Sequence, residues 1–198
     1  MSWSAKFPIE WDEKAVTEGG TVRISMAEMT SKGVHINGLD PYAKYPASIV
    51  CYIMGDATIE TVYDRKKDID PVSISGKQAI LGYKYFDFNE RADGKETKLA
   101  ITVVPQGIDA TVDVYLRPTA AANTAIVKEN GIITSVGEGS FKVGSFEITA
   151  DMEQRATTMS MLLTKVDELD GQWGLFFVLT SESEGKICEF HSLEFSAD

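Results

Sequence analysis

Gly82-Tyr83-Lys84-Tyr85-Phe86-Asp87-Phe88 is the stretch on which the reading of this chain turns. Its residues change character at every step and not every third or fourth, which is the pattern of a strand presenting successive side chains to opposite faces of a sheet. Strict alternation puts Tyr83, Tyr85 and Asp87 on one face and Lys84, Phe86 and Phe88 on the other. Phe86 and Phe88 then belong to a core, while Tyr83 and Tyr85 pack a ring and keep a polar tip wet.

Outward from this stretch the chain is a succession of short β-like runs punctuated by Gly, Pro, Asn and Asp. The strands expected are Ala47 to Ile53, Ala57 to Tyr63, Ala79 to Phe88, Lys98 to Val104 and Ala110 to Leu116. Thr124 to Lys128, Ser140 to Thr149, Thr157 to Val166, Gln172 to Thr180 and Ile187 to Phe195 complete the set. Leu99, Ile101 and Val103 repeat with a period of two, as do Val112, Val114 and Leu116, the mark of half-buried sheet. Leu175-Phe176-Phe177-Val178-Leu179 is apolar throughout, as in a central strand. No helical stripe is sustained, and Ala120 to Ala125 reads as a turn or the start of a strand. The expected fold is all-β: a jelly-roll β-sandwich with Phe86, Phe88, Val114, Phe177 and Phe195 between its sheets. Residues 1 to 32, with Trp3, Phe7, Trp11 and Gly19-Gly20 among polar neighbours, lack this alternation and read as an N-terminal arm or short extra strands.

Composition narrows the partners. The 198 residues carry 19 Lys plus Arg against 30 Asp plus Glu, a net charge of -11 that repels a phosphate backbone. Nucleic acid is therefore not an expected partner. No apolar run has the length of a membrane span, and Met1-Ser2-Trp3-Ser4-Ala5-Lys6 lacks the order of a signal peptide, so neither membrane nor visible leader is expected. Two cysteines, Cys51 and Cys188, are too few for a disulfide framework or a zinc site and read as small apolar strand residues, with a bridge between them left open. Nucleophile-elbow, phosphate-loop and zinc-protease spacings are absent, and His35 and His191 are the only histidines. No catalytic residue, metal ligand or cofactor is expected.

The Gly82 to Phe88 stretch resembles a segment of the non-catalytic β-sandwich modules attached to family 43 glycoside hydrolases. Gly33-Val34 through Leu39-Asp40-Pro41-Tyr42-Ala43-Lys44-Tyr45-Pro46-Ala47 resembles the segment that leads from those enzymes' propeller into the module. Gly171-Gln172-Trp173-Gly174-Leu175-Phe176-Phe177-Val178 and Ile187-Cys188-Glu189-Phe190-His191-Ser192-Leu193-Glu194-Phe195 resemble the closing strands of a family 6 carbohydrate-binding module. The resemblance implies a galactose-binding-like jelly roll over 47–198, with 1–46 as arm or inter-domain connection. It also implies a plant polysaccharide or oligosaccharide of the xylan or arabinan class as partner, a catalytic propeller as neighbour, and an extracellular or periplasmic location. A propeller of at least four blades, at roughly 40 to 50 residues each, does not fit here beside a sandwich, so the chain itself is expected to be non-catalytic.

A sugar site needs flat aromatic faces and a few hydrogen-bonding groups. Tyr83, Tyr85, Trp173, Tyr42, Tyr45 and Tyr63 are the aromatic candidates. The family's sugar-binding Asn falls at Glu189, its aromatic platform falls in Asp151-Met152-Glu153-Gln154-Arg155, and the positions of its structural calcium ligands fall at Ala47-Ser48-Ile49 and His191. The carbohydrate-binding residues expected on this basis are Tyr83 and Tyr85 as stacking surfaces, with Arg155 and Glu189 as polar neighbours. Departure from the family's ligand set keeps a second function open, a structural accessory domain packed on a catalytic propeller. A stand-alone enzyme is a third reading.

Overall fold

The computed structural model describes residues 27–30, 33–36, 39, 42–60, 70–88, 96–121, 124–166, 169 and 171–197. The chain divides into two compact units, Met1–Gly38 and Leu39–Asp198. In the first, β1 (Ala27–Thr30) and β2 (Gly33–Ile36) form an antiparallel hairpin with Thr30 opposite Gly33. Trp3, Phe7, Trp11 and the Gly19-Gly20 pair lie outside the described residues.

The second unit contains β3 (Lys44–Pro46), β4 (Tyr52–Ile59), β5 (Val72–Asp87), β6 (Thr97–Pro105) and β7 (Ala110–Pro118). These are followed by β8 (Val127–Glu129), β9 (Ile132–Ser135), β10 (Phe141–Ile148), β11 (Thr157–Leu162), β12 (Gln172–Thr180) and β13 (Lys186–Ala197). Hydrogen bonds link seven of them in the order β10-β7-β12-β5-β13-β6-β11. The path folds over on itself at β5. Gln78 to Asp87 of β5 pair with β12, whereas Val72 to Ser75 pair with β13, so one strand passes from a first layer into a second. β4 makes the same turn beside it, pairing Tyr52 to Gly55 with one half of β5 and Ala57 to Ile59 with the other.

Glycine makes this corner possible. Gly76 of β5 and Gly55 of β4 have φ of 76° and 83°, the left-handed region that a side chain disfavours. A Cβ on Gly55 would also collide with the carbonyl oxygen of Gln78. Beyond the corner the layers face each other, and alternate residues of each interleave. Val112, Val114, Leu116, Phe177 and Leu179 of the first layer join Ile101, Val103, Cys188, Phe190 and Leu193 of the second in one core. Edge-on rings knit it: Phe177 and Phe190 have centroids 5.1 Å apart, Phe86 and Phe195 5.0 Å. The far edge is closed by β10 and β11, where Thr164 N–H donates to the Val143 carbonyl at 3.0 Å and Met161 packs on Gly144.

The architecture is the expected all-β sandwich, and all five expected core residues are no more than 2% exposed. Several details differ. The run from Ala47 opens with a 3-10 turn (Ala47–Ile49), and its strand starts at Tyr52. β5 begins at Val72, seven residues before the expected Ala79, because the Gly76 that reads as punctuation is a bend within a continuous strand. The strand expected from Thr124 is confined to Val127–Glu129, in a hairpin with β9. The compact unit starts at Leu39, Leu39, Tyr42 and Tyr45 pack against the core, and β3 pairs with β13, so the sandwich begins before the expected Ala47. Both cysteines are free thiols; burial of Cys188, with Glu189 beside it, pushes its pKa up to about 12.

The corner carries a prediction. Gly55→Ala combines positive φ with a backbone collision and should lower unfolding stability by about 2 kcal/mol or more. Gly131→Ala, at φ 83° with nothing within 4 Å of a new Cβ, should cost only about 1 kcal/mol. Urea unfolding of both variants measures this, and equal losses would contradict the corner's role.

Candidate functional site

The structure scatters the four residues expected to bind sugar. Tyr83 requires a correction: it is fully buried, its ring edge-on to Phe177 and Phe190, and its hydroxyl donates to the Ala47 carbonyl at 3.1 Å. Burial pushes its pKa well up. The reason is a register shift where Leu175 faces Tyr83 but Trp173 faces Phe86, an irregularity that turns Tyr83 and Phe86 to the same interior. Strict alternation had placed them on opposite faces. Tyr85, inside that irregularity, is half-buried; its carbonyl accepts from Leu39 N–H at 2.6 Å, and Lys84 Nζ lies 5.8 Å from its ring centroid.

Glu189 and Arg155 belong to the second layer's end. Glu189 stands opposite Ser73 and Val104, so its outward row offers no flat aromatic face. Lys186 Nζ bonds it at 2.8 Å and Glu60 at 3.3 Å, while His191 Nε2 lies 3.5 Å from it. The Lys186 hydrogen bond holds the Glu189 carboxyl below the usual carboxylate range. Arg155 is exposed on the loop before β11 and pairs with its neighbour Glu153. Of the other tyrosines, Tyr42 and Tyr45 pack against the core and Tyr63 lies outside the described residues. Trp173 is half-buried, edge-on to Phe141 at 5.7 Å.

A different surface gathers aromatic and polar groups: the outer face of the first layer. Register assigns its rows. Tyr52 of β4 faces Gly82 of β5, Gly82 faces Phe176 of β12, Phe176 faces Tyr115 of β7, and Tyr115 faces Lys142 of β10. The next row outward runs Met54, Ile80, Val178, Asp113 and Ser145. On the other side Gly174 sits between Arg117 and the Lys84–Tyr85 irregularity.

Two glycines explain how a large ring lies flat here. A Cβ on Gly82 would stand 2.6 Å from Phe176 Cε1, and one on Gly174 3.1 Å from Cε2, so the ring reclines across both. Tyr52 meets it edge-on at 6.2 Å and the Arg117 guanidinium covers it at 4.3 Å. Tyr52 is 37% exposed, while Phe176 and Arg117 are 1% and 7% exposed.

The β8–β9 hairpin and the turn after it roof part of this face. Ile133 and Val136 pack on Ile80, Tyr115, Phe176 and Val178 as a second apolar cluster, with Ile126 beside it. Gln78 Nε2 donates to the Gly131 carbonyl at the hairpin tip, 3.3 Å, and Arg117 Nη1 donates to the Val136 carbonyl at 3.0 Å. The uncovered part holds Tyr52, Cys51 and Lys84, all exposed. Cys51 Sγ donates to the Gly82 carbonyl at 3.2 Å; burial raises its pKa, and the charges of Lys84 and Arg117 work against that rise. Asp113, bonded to Lys142 at 2.6 Å and to Ser145 Oγ at 2.7 Å, anchors the far edge. Tyr52 was legible only as part of an apolar strand, since nothing in its neighbours announces which face it takes.

No protein-family model matches this chain, and no curated protein matches its sequence. Solved structures match its fold. A family 6 carbohydrate-binding module does so with a TM-score of 0.51 at 12% identity, over 80% of this chain and 96% of that one. A glycoside hydrolase family 43 arabinoxylan arabinofuranohydrolase from Bacillus subtilis, in complex with cellotetraose, does so with a TM-score of 0.54 at 15% identity. That match covers 87% of this chain but 33% of the enzyme, so the chain spans about a third of the enzyme's length. The chain thus has the β-sandwich fold of these modules.

Two outcomes follow from the placements. Tyr83→Phe should cost about 1 kcal/mol of stability, since Ala47's carbonyl keeps its bond from Val50 N–H, and should leave any glycan affinity unchanged. A change in affinity without a change in stability would return Tyr83 to the site. Glu189→Gln should cost at most about 1 kcal/mol at neutral pH. A carboxyl whose folded pKa is lowered stabilises above its unfolded pKa and loses that contribution as pH falls, so the deficit should shrink below about pH 4. Thermal unfolding of both proteins across this range checks the sign; a deficit that grows with acid would refute it.

Proposed function

We propose that this chain is a non-catalytic carbohydrate-binding module that tethers a hemicellulose-degrading glycoside hydrolase to a polysaccharide of the xylan or arabinan class. The observation that carries this reading is the Tyr52–Gly82–Phe176–Tyr115 row. At the open end of this row the exposed Tyr52 ring stands beside the exposed Lys84, while Phe176 and Tyr115 behind them are buried; a ring face and a nearby polar group are what stacking and hydrogen bonding to a sugar require. Held on a strand framework and not on loops, such a face tracks a chain of sugars with little ordering cost. Tethering raises the local concentration of substrate for an attached catalytic propeller. Secretion to the extracellular space or periplasm fits that role. Residues 1–38 then serve as the arm toward the catalytic domain.

A second reading, a structural accessory domain without a sugar site, is favoured by β4 itself. Tyr52, Ile53 and Ile59 are exposed along this strand, which suits packing against a neighbouring domain.

Calorimetric titration of xylo- and arabino-oligosaccharides separates the two. Affinity in the millimolar to micromolar range, roughly, is expected from one exposed ring and few polar contacts. Tyr52→Ala should weaken it about two- to tenfold, and Glu189→Ala should leave it intact. Absence of binding to every oligosaccharide would favour the accessory domain. Turnover of an aryl arabinofuranoside or xyloside, abolished by one Asp or Glu substitution in the chain, would overturn both.

A further inference from the structure

Arg117 is anomalous in a chain of net charge -11. Only 7% exposed, it lies on a strand of the first layer, and among the described residues no carboxylate pairs with it. One terminal nitrogen donates to Val136; Nε is buried with no hydrogen-bond partner. Leaving a buried guanidinium donor unmet costs free energy, and a structural staple to a carbonyl needs neither that donor nor a full charge. Asp113, the nearest acid along β7, is already held by Lys142 and Ser145.

A second cation stands across the same face. Lys84 is exposed, and its one described contact is with the Tyr85 ring. In the strand register Gly174 lies between it and Arg117, and the Phe176 ring reclines over that glycine. The uncovered end of the aromatic band thus holds the exposed Lys84, and Arg117 lies buried at its margin with Nε unmet; neither has a carboxylate partner among the described residues.

Resting on the carbohydrate-binding reading, we propose that this end of the face is a subsite for an anionic substituent on an otherwise neutral glycan, the carboxylate of an isolated uronic acid. A planar carboxylate matches the fork of a guanidinium, and an ammonium beside it adds a second attraction. The overall charge of -11 sets the limit: a polyanion charged at every sugar is repelled, whereas one acidic branch lies within a Debye length of Lys84 and Arg117. A sulfate ester has the same charge but not the planar geometry.

The test titrates the whole chain with four oligosaccharides of equal length: neutral xylan, the same backbone bearing one glucuronic acid, the same bearing one sulfate, and oligogalacturonide. The glucuronic-acid form should bind roughly ten- to a hundredfold more tightly than the neutral one. That advantage should fall between about 50 mM and 300 mM salt. Lys84→Gln, at an exposed position, should bring the ratio of acidic to neutral affinity close to one. Arg117→Lys should erase the preference of carboxylate over sulfate; a folded Arg117→Lys protein that retains it would overturn Arg117's part. Equal affinity for neutral and acidic forms would overturn this inference alone, leaving the carbohydrate-binding reading intact. Tightest binding of oligogalacturonide would overturn the single-branch limit. Failure of all four to bind would overturn the inference together with the reading beneath it.

Discussion

One strand holds both layers. β5 runs for 16 residues, pairs with β12 in one half and β13 in the other, and turns between them at Gly76. Because a strand cannot supply the same backbone groups to two neighbours on one side, the division of its length fixes where each layer begins. β4 copies the turn at Gly55, so the corner is two strands thick. Everything functional is placed relative to it. Before the corner Ser73 stands on the polar outer surface beside Glu189; after it Ile80 and Gly82 stand on the aromatic band, while alternate residues of both halves enter the core.

The aromatic band depends on omission as much as on presence. Gly82 and Gly174 leave room for the Phe176 ring, and the ring in turn gives Arg117 a flat surface and Tyr52 an edge. The turn after the β8–β9 hairpin then covers Phe176, so most of the apolar area on this face is dry without a ligand. What stays open is narrow, a tyrosine and a lysine at the β4–β5 side. On the proposed reading, a surface this shallow meets a sugar by shape and a few charges, not by enclosure.

Much of the fold was written in period-two alternation. Leu99, Ile101 and Val103, and Val112, Val114 and Leu116, point inward as their spacing requires, because regular strands transmit the pattern faithfully. The site was far less legible, for two physical reasons. The register shift opposite Trp173 and Leu175 breaks alternation inside the most recognisable motif and sends Tyr83 into the core; an irregularity of one residue leaves no mark in composition. Glycine was read as a break at Gly76, where it is a bend, and was passed over at Gly82 and Gly174, where it is a seat for a ring. Arg117 drew no notice because an arginine at the end of a strand says nothing of its neighbours until strand order brings β12 and the Phe176 ring beside it.

Resemblance of motif guided the fold correctly, while one of its four expected ligand residues, Tyr83, lies in the core. Positions inferred for Arg155 and Glu189 fall on a loop and an ion-paired cluster of the second layer, remote in topology from the rings. The account therefore stands or falls on which layer meets the glycan. Amide chemical-shift mapping during titration with a glucuronic-acid-bearing xylo-oligosaccharide decides it. Perturbations concentrated at Tyr52, Gly82, Lys84, Gly174 and Phe176 are the expected result; perturbations confined to residues 151–157 and Glu189, with this band silent, would contradict it.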